Sequence, residues 1–158
     1  MKPENFVNTI VSFLNEIGLG IELTSLTQDT FLPGVCCHNG GILVDLEQLA
    51  YPGDILHEAG HLALLKEDER VSMSGDAGDA GDDGGMEMGA IAWSYAASCF
   101  IGFPVEQLFH QGGYKGEGDW LSEQFELGIY IGLPILEWKQ LARASGETCY
   151  PHMDRWLC

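Results

Sequence analysis

The chain predicts an α+β fold in a single domain spanning residues 1–158, mostly helical with a small three-stranded antiparallel sheet. Apolar residues recur every three to four positions along several segments, the mark of helices with one buried face. Three short β-rich runs lie close together between residues 21 and 45, joined by links too short for crossover helices. A length of 158 residues suits one well-buried core better than two.

Phe6, Ile10, Phe13, Leu14 and Ile17 place the first helix over about residues 3–17, and Gly18 closes it. Ile21-Glu22-Leu23 alternates as a short strand. Residues 31–37 and 41–45 predict two further strands around the turn-forming His38-Asn39-Gly40-Gly41. The next helix covers residues 52–66. It begins at Pro52-Gly53-Asp54, a turn followed by an acidic residue that favours the positive end of the helix dipole.

Residues 72–85 are rich in Gly and Asp and hold too little apolar surface to build a core, so they predict a solvated loop. Asp76, Asp79, Asp82 and Asp83 invite a calcium reading, but their spacing fits neither an EF-hand loop nor a nonapeptide repeat. A helix rich in small residues follows over 86–100. Pro104 starts a short helix to about residue 109, and residues 111–118 form a Gly-rich loop. Two more helices cover 120–131 and 134–144, and the aromatic tail 148–158 packs back on the domain. Trp93, Trp120 and Trp138 fall at positions suited to core or half-buried packing, and Cys99 to the core.

The formal net charge is −17, from 24 acidic and 7 basic residues. That balance excludes nucleic-acid phosphate and anionic membranes as partners. It accords with basic peptide substrates, and equally with plain solubility. The five cysteines form no C-x-x-C pair, no span could cross a bilayer, and the N-terminus reads as an amphipathic helix. These features predict reduced thiols and a cytoplasmic protein.

The chemistry lies in His57-Glu58-Ala59-Gly60-His61. Residues four apart share a helix face, so His57 and His61 aim two imidazoles at one point and can hold a metal ion. Glu58 adds a carboxylate base beside it, which is the set that metal-assisted hydrolysis needs. Ala59 and Gly60 are small enough to let a second helix come close.

A catalytic zinc normally takes three protein ligands. The metzincin extension fails, because Leu64 stands at its Gly position and Glu67 at its third His position. Cys36 and Cys37 lie upstream, as the Cys ligand of peptide deformylases does, but without that family's glycine-rich motif. Glu87 fits best. It opens a new helix 26 residues after His61, a span that lets the chain turn back antiparallel. Glu87, Ala90, Ile91, Ser94 and Ser98 share a face that can pack on Ala59 and Gly60. Asp82 and Asp83 compete for the same role, and an acidic residue at a helix start also serves the dipole alone.

This order, H-E-x-x-H and then Glu87-Met88-Gly89-Ala90, resembles the gluzincin layout. Its E-x-x-A form is similar to the small ImmA/IrrE-like zincin domains, over roughly residues 40–100. The resemblance implies a zincin-like fold with the motif helix packed on a glutamate helix. It implies one zinc per chain held by His57, His61 and Glu87, Glu58 as general base, and strand 41–45 as an edge beside the cleft. Ile91 stands where thermolysin-like gluzincins carry Asp, no helix-turn-helix module accompanies the domain, and the chain from Phe103 on matches no member.

The expected activity is zinc-dependent hydrolysis of a peptide or protein substrate. His110 and Tyr114 flank a Gly-rich loop that could fold over the site and supply an oxyanion donor, though each also suits an ordinary loop residue. Tyr95 and His152 carry suitable groups too. Two other readings compete: a zinc-holding binding or regulatory module, and a deformylase-like hydrolase of small amides.

Overall fold

The structure, a computed structural model, describes residues 3–75 and 84–158. Helix α1 (Pro3–Ile17) leads into strands β1 (Ile21–Leu23), β2 (Val35–His38) and β3 (Gly41–Val44). Then come α2 (Gly53–Ala63), α3 (Glu67–Val71), α4 (Gly84–Ile101) and α5 (Val105–Leu108). A 3₁₀ turn (Tyr114–Gly116), α6 (Gly118–Glu126) and α7 (Leu133–Trp138) complete the described elements. The fold is α+β and mostly helical, as the periodicity predicts. Among the described residues no helix is long and apolar enough to cross a membrane.

The sheet corrects the sequence expectation. Its order is β1-β3-β2, and it is mixed, not antiparallel. β2 and β3 form the expected hairpin, Val35 opposite Val44 and His38 opposite Gly41. Asn39 and Gly40 both take positive φ (49° and 79°), the backbone of a tight hairpin turn that matches strand twist. β1 pairs with β3 in parallel, Ile21 opposite Ile42, because residues 24–34 carry the chain back across before β2 begins. β3 is therefore the central strand, and the edge beside the motif helix belongs to β2. That edge is partly covered by the chain itself: Cys37 and Gly75 exchange both backbone hydrogen bonds (2.8 and 2.9 Å), and Val35 N–H donates to Leu32 O.

Helix α2 is the buried axis of the fold, with every residue from Gly53 to Ala63 shielded from solvent. It stops earlier than residue 66 because Lys66 turns extended (ψ 156°) and starts α3. Arg70 of α3 reaches back and donates to the carbonyls of Leu62 (3.5 Å) and Leu65 (3.2 Å), where the helix end leaves acceptors open. α6 and α7 are also shorter than their patterns suggest. Gly128 (φ 77°) ends the first, and Gln140 (φ 60°) lies just past the second. The tail then competes for this stretch: Asp154 N–H donates to Leu141 O, and Ala142 bridges Met153.

The core joins α1 (Ile10, Phe13, Leu14), the inner sheet face (Val44, Ile42), α2 (Leu56, Ala59) and α4 (Trp93, Ala97). Trp93 is fully buried and donates Nε1–H to Trp156 O in the tail, so the tail packs as expected. Trp138 (73% exposed) and Cys99 depart from the expectation and lie on the surface.

Gly60 is where α2 and α4 come closest. A Cβ there would stand 2.7 Å from the Ala90 carbonyl oxygen, a backbone atom that cannot rotate aside. Gly60→Ala should therefore destabilise the fold by about 1–3 kcal/mol, even though Ala is the better helix former. A chemical-denaturation midpoint at or above wild type would show that the helices have room to spare.

Candidate metal centre

His57 and His61 project from adjacent turns of α2, and Glu87 from the first turn of α4. The glycine approach of the two helices brings the three together. His57 Nε2 lies 3.3 Å from His61 Nε2. Glu87 spans the pair, with Oε1 3.1 Å from His57 Nε2 and Oε2 2.7 Å from His61 Nε2. Among the described residues these three form the one group of His, Cys, Asp and Glu whose ligand atoms converge, all within 4.8 Å of one another.

The donor set fits a metal ion. Tetrahedral bonds of about 2.0–2.1 Å place neighbouring donor atoms about 3.3 Å apart, and the facing imidazoles stand at that separation. Two Nε2 atoms and a carboxylate aimed at one point suit a shared cation, since neutral imidazoles turn lone pairs toward each other. Burial alone would raise the Glu87 pKa. Hydrogen bonds from His57 and His61, and their charge when protonated, outweigh it and hold the carboxyl well below its ordinary range. His57 Nδ1 is buried and has no hydrogen-bond partner among the described residues, so the orienting acceptor often found behind a ligating imidazole is missing there.

Glu58, buried on the same helix, turns toward the sheet. Its Oε1 accepts a hydrogen bond from the Cys37 thiol at 2.8 Å, and Glu58 forms part of the wall of a groove lined by the loop before β2. Cys36 donates to the Cys37 carbonyl. Neither thiol joins the convergent group, unlike the cysteine ligand of a deformylase-like centre.

The loop after α5 brings the other two expected residues close, in different ways. The Tyr114 ring packs edge-on against His57 (5.5 Å between centroids) and lies 5.9 Å from the His110 ring. Its hydroxyl is buried and has no hydrogen-bond partner among the described residues. Burial first, then the Asp54 and Glu87 charges, push its pKa far above the ordinary phenol value, so it remains an O–H donor. Tyr114 (φ 55°), Lys115 (φ 54°) and Gly116 (φ 81°) are all left-handed, a strained run that holds the ring in place. His110 is already committed: Nε2 lies 2.7 Å from Asp54 Oδ1, and the ring stacks on Tyr51 at 3.6 Å.

Asp54 is a contributor that sequence reasoning treated only as a helix-start residue. It sits three residues before His57 on the same helical stripe, the one signal that could have drawn attention to it. Burial raises its pKa, and His110 and His57 oppose that rise. The role of Cys37 beside Glu58 had no signal in the sequence. Asp76, Asp79, Asp82 and Asp83, including the competing ligands Asp82 and Asp83, lie outside the described residues. Comparison with family models, curated proteins and solved structures finds nothing that matches this chain.

Two outcomes follow. Purified protein should hold a metal ion at this group, and Glu87→Ala or His61→Ala should weaken its binding by at least about tenfold in chelator competition. Acidification should release the ion as the imidazoles take up protons, so affinity falls with falling pH. Separately, Lys115→Gly should raise stability by about 1 kcal/mol in denaturant melts by removing a left-handed side chain. An unchanged or lower midpoint would show that Lys115 is held there without cost.

Proposed function

We propose that the chain is a zinc-dependent peptide hydrolase of the gluzincin kind, acting in the cytoplasm, with His57, His61 and Glu87 as ligands. The observation that carries this reading is the convergence of those three side chains, two of them on the helix that also carries the buried Glu58. Zinc bound there supplies Lewis-acid polarisation of the scissile carbonyl and a lowered pKa for water.

The chain's own residues do the rest. Glu58 takes a proton from the attacking water and hands it to the leaving amine. The Cys37 thiol donates to one Glu58 oxygen and so orients the carboxylate. Tyr114 keeps its proton at any physiological pH and offers a buried O–H to the developing oxyanion. His110, bonded to Asp54 and stacked on Tyr51, steadies the loop that carries Tyr114.

A binding or regulatory module is the second reading. It draws support from β2, whose outward backbone groups at Val35 and Cys37 already have partners within the chain. An extended peptide could not add to that edge at Cys37 without displacing Gly75.

One pair of variants separates the two. Glu58→Gln should keep its zinc yet lose about 10²–10⁴-fold in peptide hydrolysis. Tyr114→Phe should lower kcat by about 10²-fold with KM little changed. Zinc-loaded wild type that cleaves nothing in a diverse peptide library, yet retains a protein partner in pull-downs, establishes the binding module instead.

A further inference from the structure

Glu58 is shared between two features. One side of its helix meets the metal ligands. Glu58 also lines a groove of about 410 Å³ formed with the loop between β1 and β2. The walls carry Leu26, Phe31, Leu32 and Val35, and Phe31 is 83% exposed, an unusual position for a large apolar ring in a chain this acidic. Among the described residues the lining holds two acidic side chains, Asp29 and Glu58, and no Lys, Arg or His.

The wall is built, not draped. Asp45, buried at the end of β3, accepts a hydrogen bond from Leu26 N–H (2.8 Å) and another from Gln48 Nε2 (2.8 Å). The same Gln48 nitrogen donates to Leu26 O at 2.9 Å. Those donors, the Leu26 N–H first, hold the Asp45 pKa down, so the clamp stays charged. The loop is therefore preorganised around the groove before anything binds.

We propose that this groove receives the substrate and selects extended peptides with a large apolar side chain flanked by Lys or Arg. The inference rests on the peptidase reading, since Glu58, the general base of that reading, lines the groove. Apolar walls reward a side chain that leaves water. The unopposed Asp29, on a chain of net charge −17, attracts a cationic neighbour and repels an acidic one.

Binding and cleavage can be read separately. Three fluorescein-labelled peptides with central pairs Phe-Leu flanked by Lys, Phe-Leu flanked by Glu, and Ala-Ala flanked by Lys would be titrated into zinc-loaded Glu58→Gln protein by fluorescence polarisation. The Lys-flanked Phe-Leu peptide should bind at least about tenfold tighter than either other peptide. Phe31→Ala should abolish the preference over Ala-Ala, and Asp29→Lys the preference over Glu flanks. Both side chains are exposed, so neither change threatens the fold. Equal binding of all three peptides, or preferences that survive both variants, overturns the proposal. Wild type that cleaves peptides without regard to these features leaves the peptidase reading standing and the groove assignment false. Selective binding without any cleavage by wild type does the reverse, leaving a peptide-binding groove without hydrolysis.

Discussion

The contact of Gly60 with the Ala90 backbone sets the geometry of this molecule. Two helices that approach through a glycine lie closer than any side chain would permit. Glu87 stands one turn before Ala90, and His57 and His61 flank Gly60 in sequence. The convergence of His57, His61 and Glu87 is thus a consequence of a backbone approach. It places a carboxylate across two imidazoles at 2.7–3.1 Å without needing a loop to carry it. A site built from helices is also more precise than one built from loops. The burial of the whole of α2 reinforces this, because the motif helix cannot shift without disturbing the core on every side.

Around this axis the remaining parts divide by direction. Toward the sheet, Glu58 meets Cys37 and the groove, with the Asp45 clamp behind. Toward the C-terminal half, His57 meets Tyr114, and the chain from Asp54 through His110 to Tyr51 supports that loop. A buried carboxylate, a buried phenol and a buried imidazole gather within a few ångströms of the same turn of helix. Buried polar groups are costly unless paired, and among the described residues the Tyr114 hydroxyl, the Nδ1 atoms of His57 and His110, and Ser122 Oγ have no hydrogen-bond partner.

Much of this was legible in the residues. Helix α1 follows its periodicity from end to end, and the Asn39-Gly40 turn forms the hairpin that such a pair predicts. His57, His61 and Glu87 meet as the spacing on two helices suggested, because helical periodicity is local and the small residues at 59 and 60 announce a close neighbour. The sheet was less legible. Short links imply antiparallel neighbours, but β1 joins β3 in parallel because residues 24–34 fold into the groove wall before β2 starts. Helix lengths near the C-terminus were overread for a related reason: the apolar pattern continues past Trp138, yet the tail claims the backbone at Leu141 and Ala142. Trp138 and Cys99 show that periodicity locates a helix face without saying whether anything covers it.

By itself the sequence determined the local terms: which segments become helices, where the hairpin turns, and that two imidazoles share a face with a carboxylate one residue on. These depend on contacts within a few residues, and a linear pattern records them. Tertiary structure alone decided that β2 lies at the edge and that its outer side is partly taken. It also decided that Cys37 reaches Glu58 across 21 residues and that His110 is bound to Asp54 across 56. Such pairings depend on how whole elements pack, and no spacing in a single chain encodes the distance between two surfaces that meet only when the core closes.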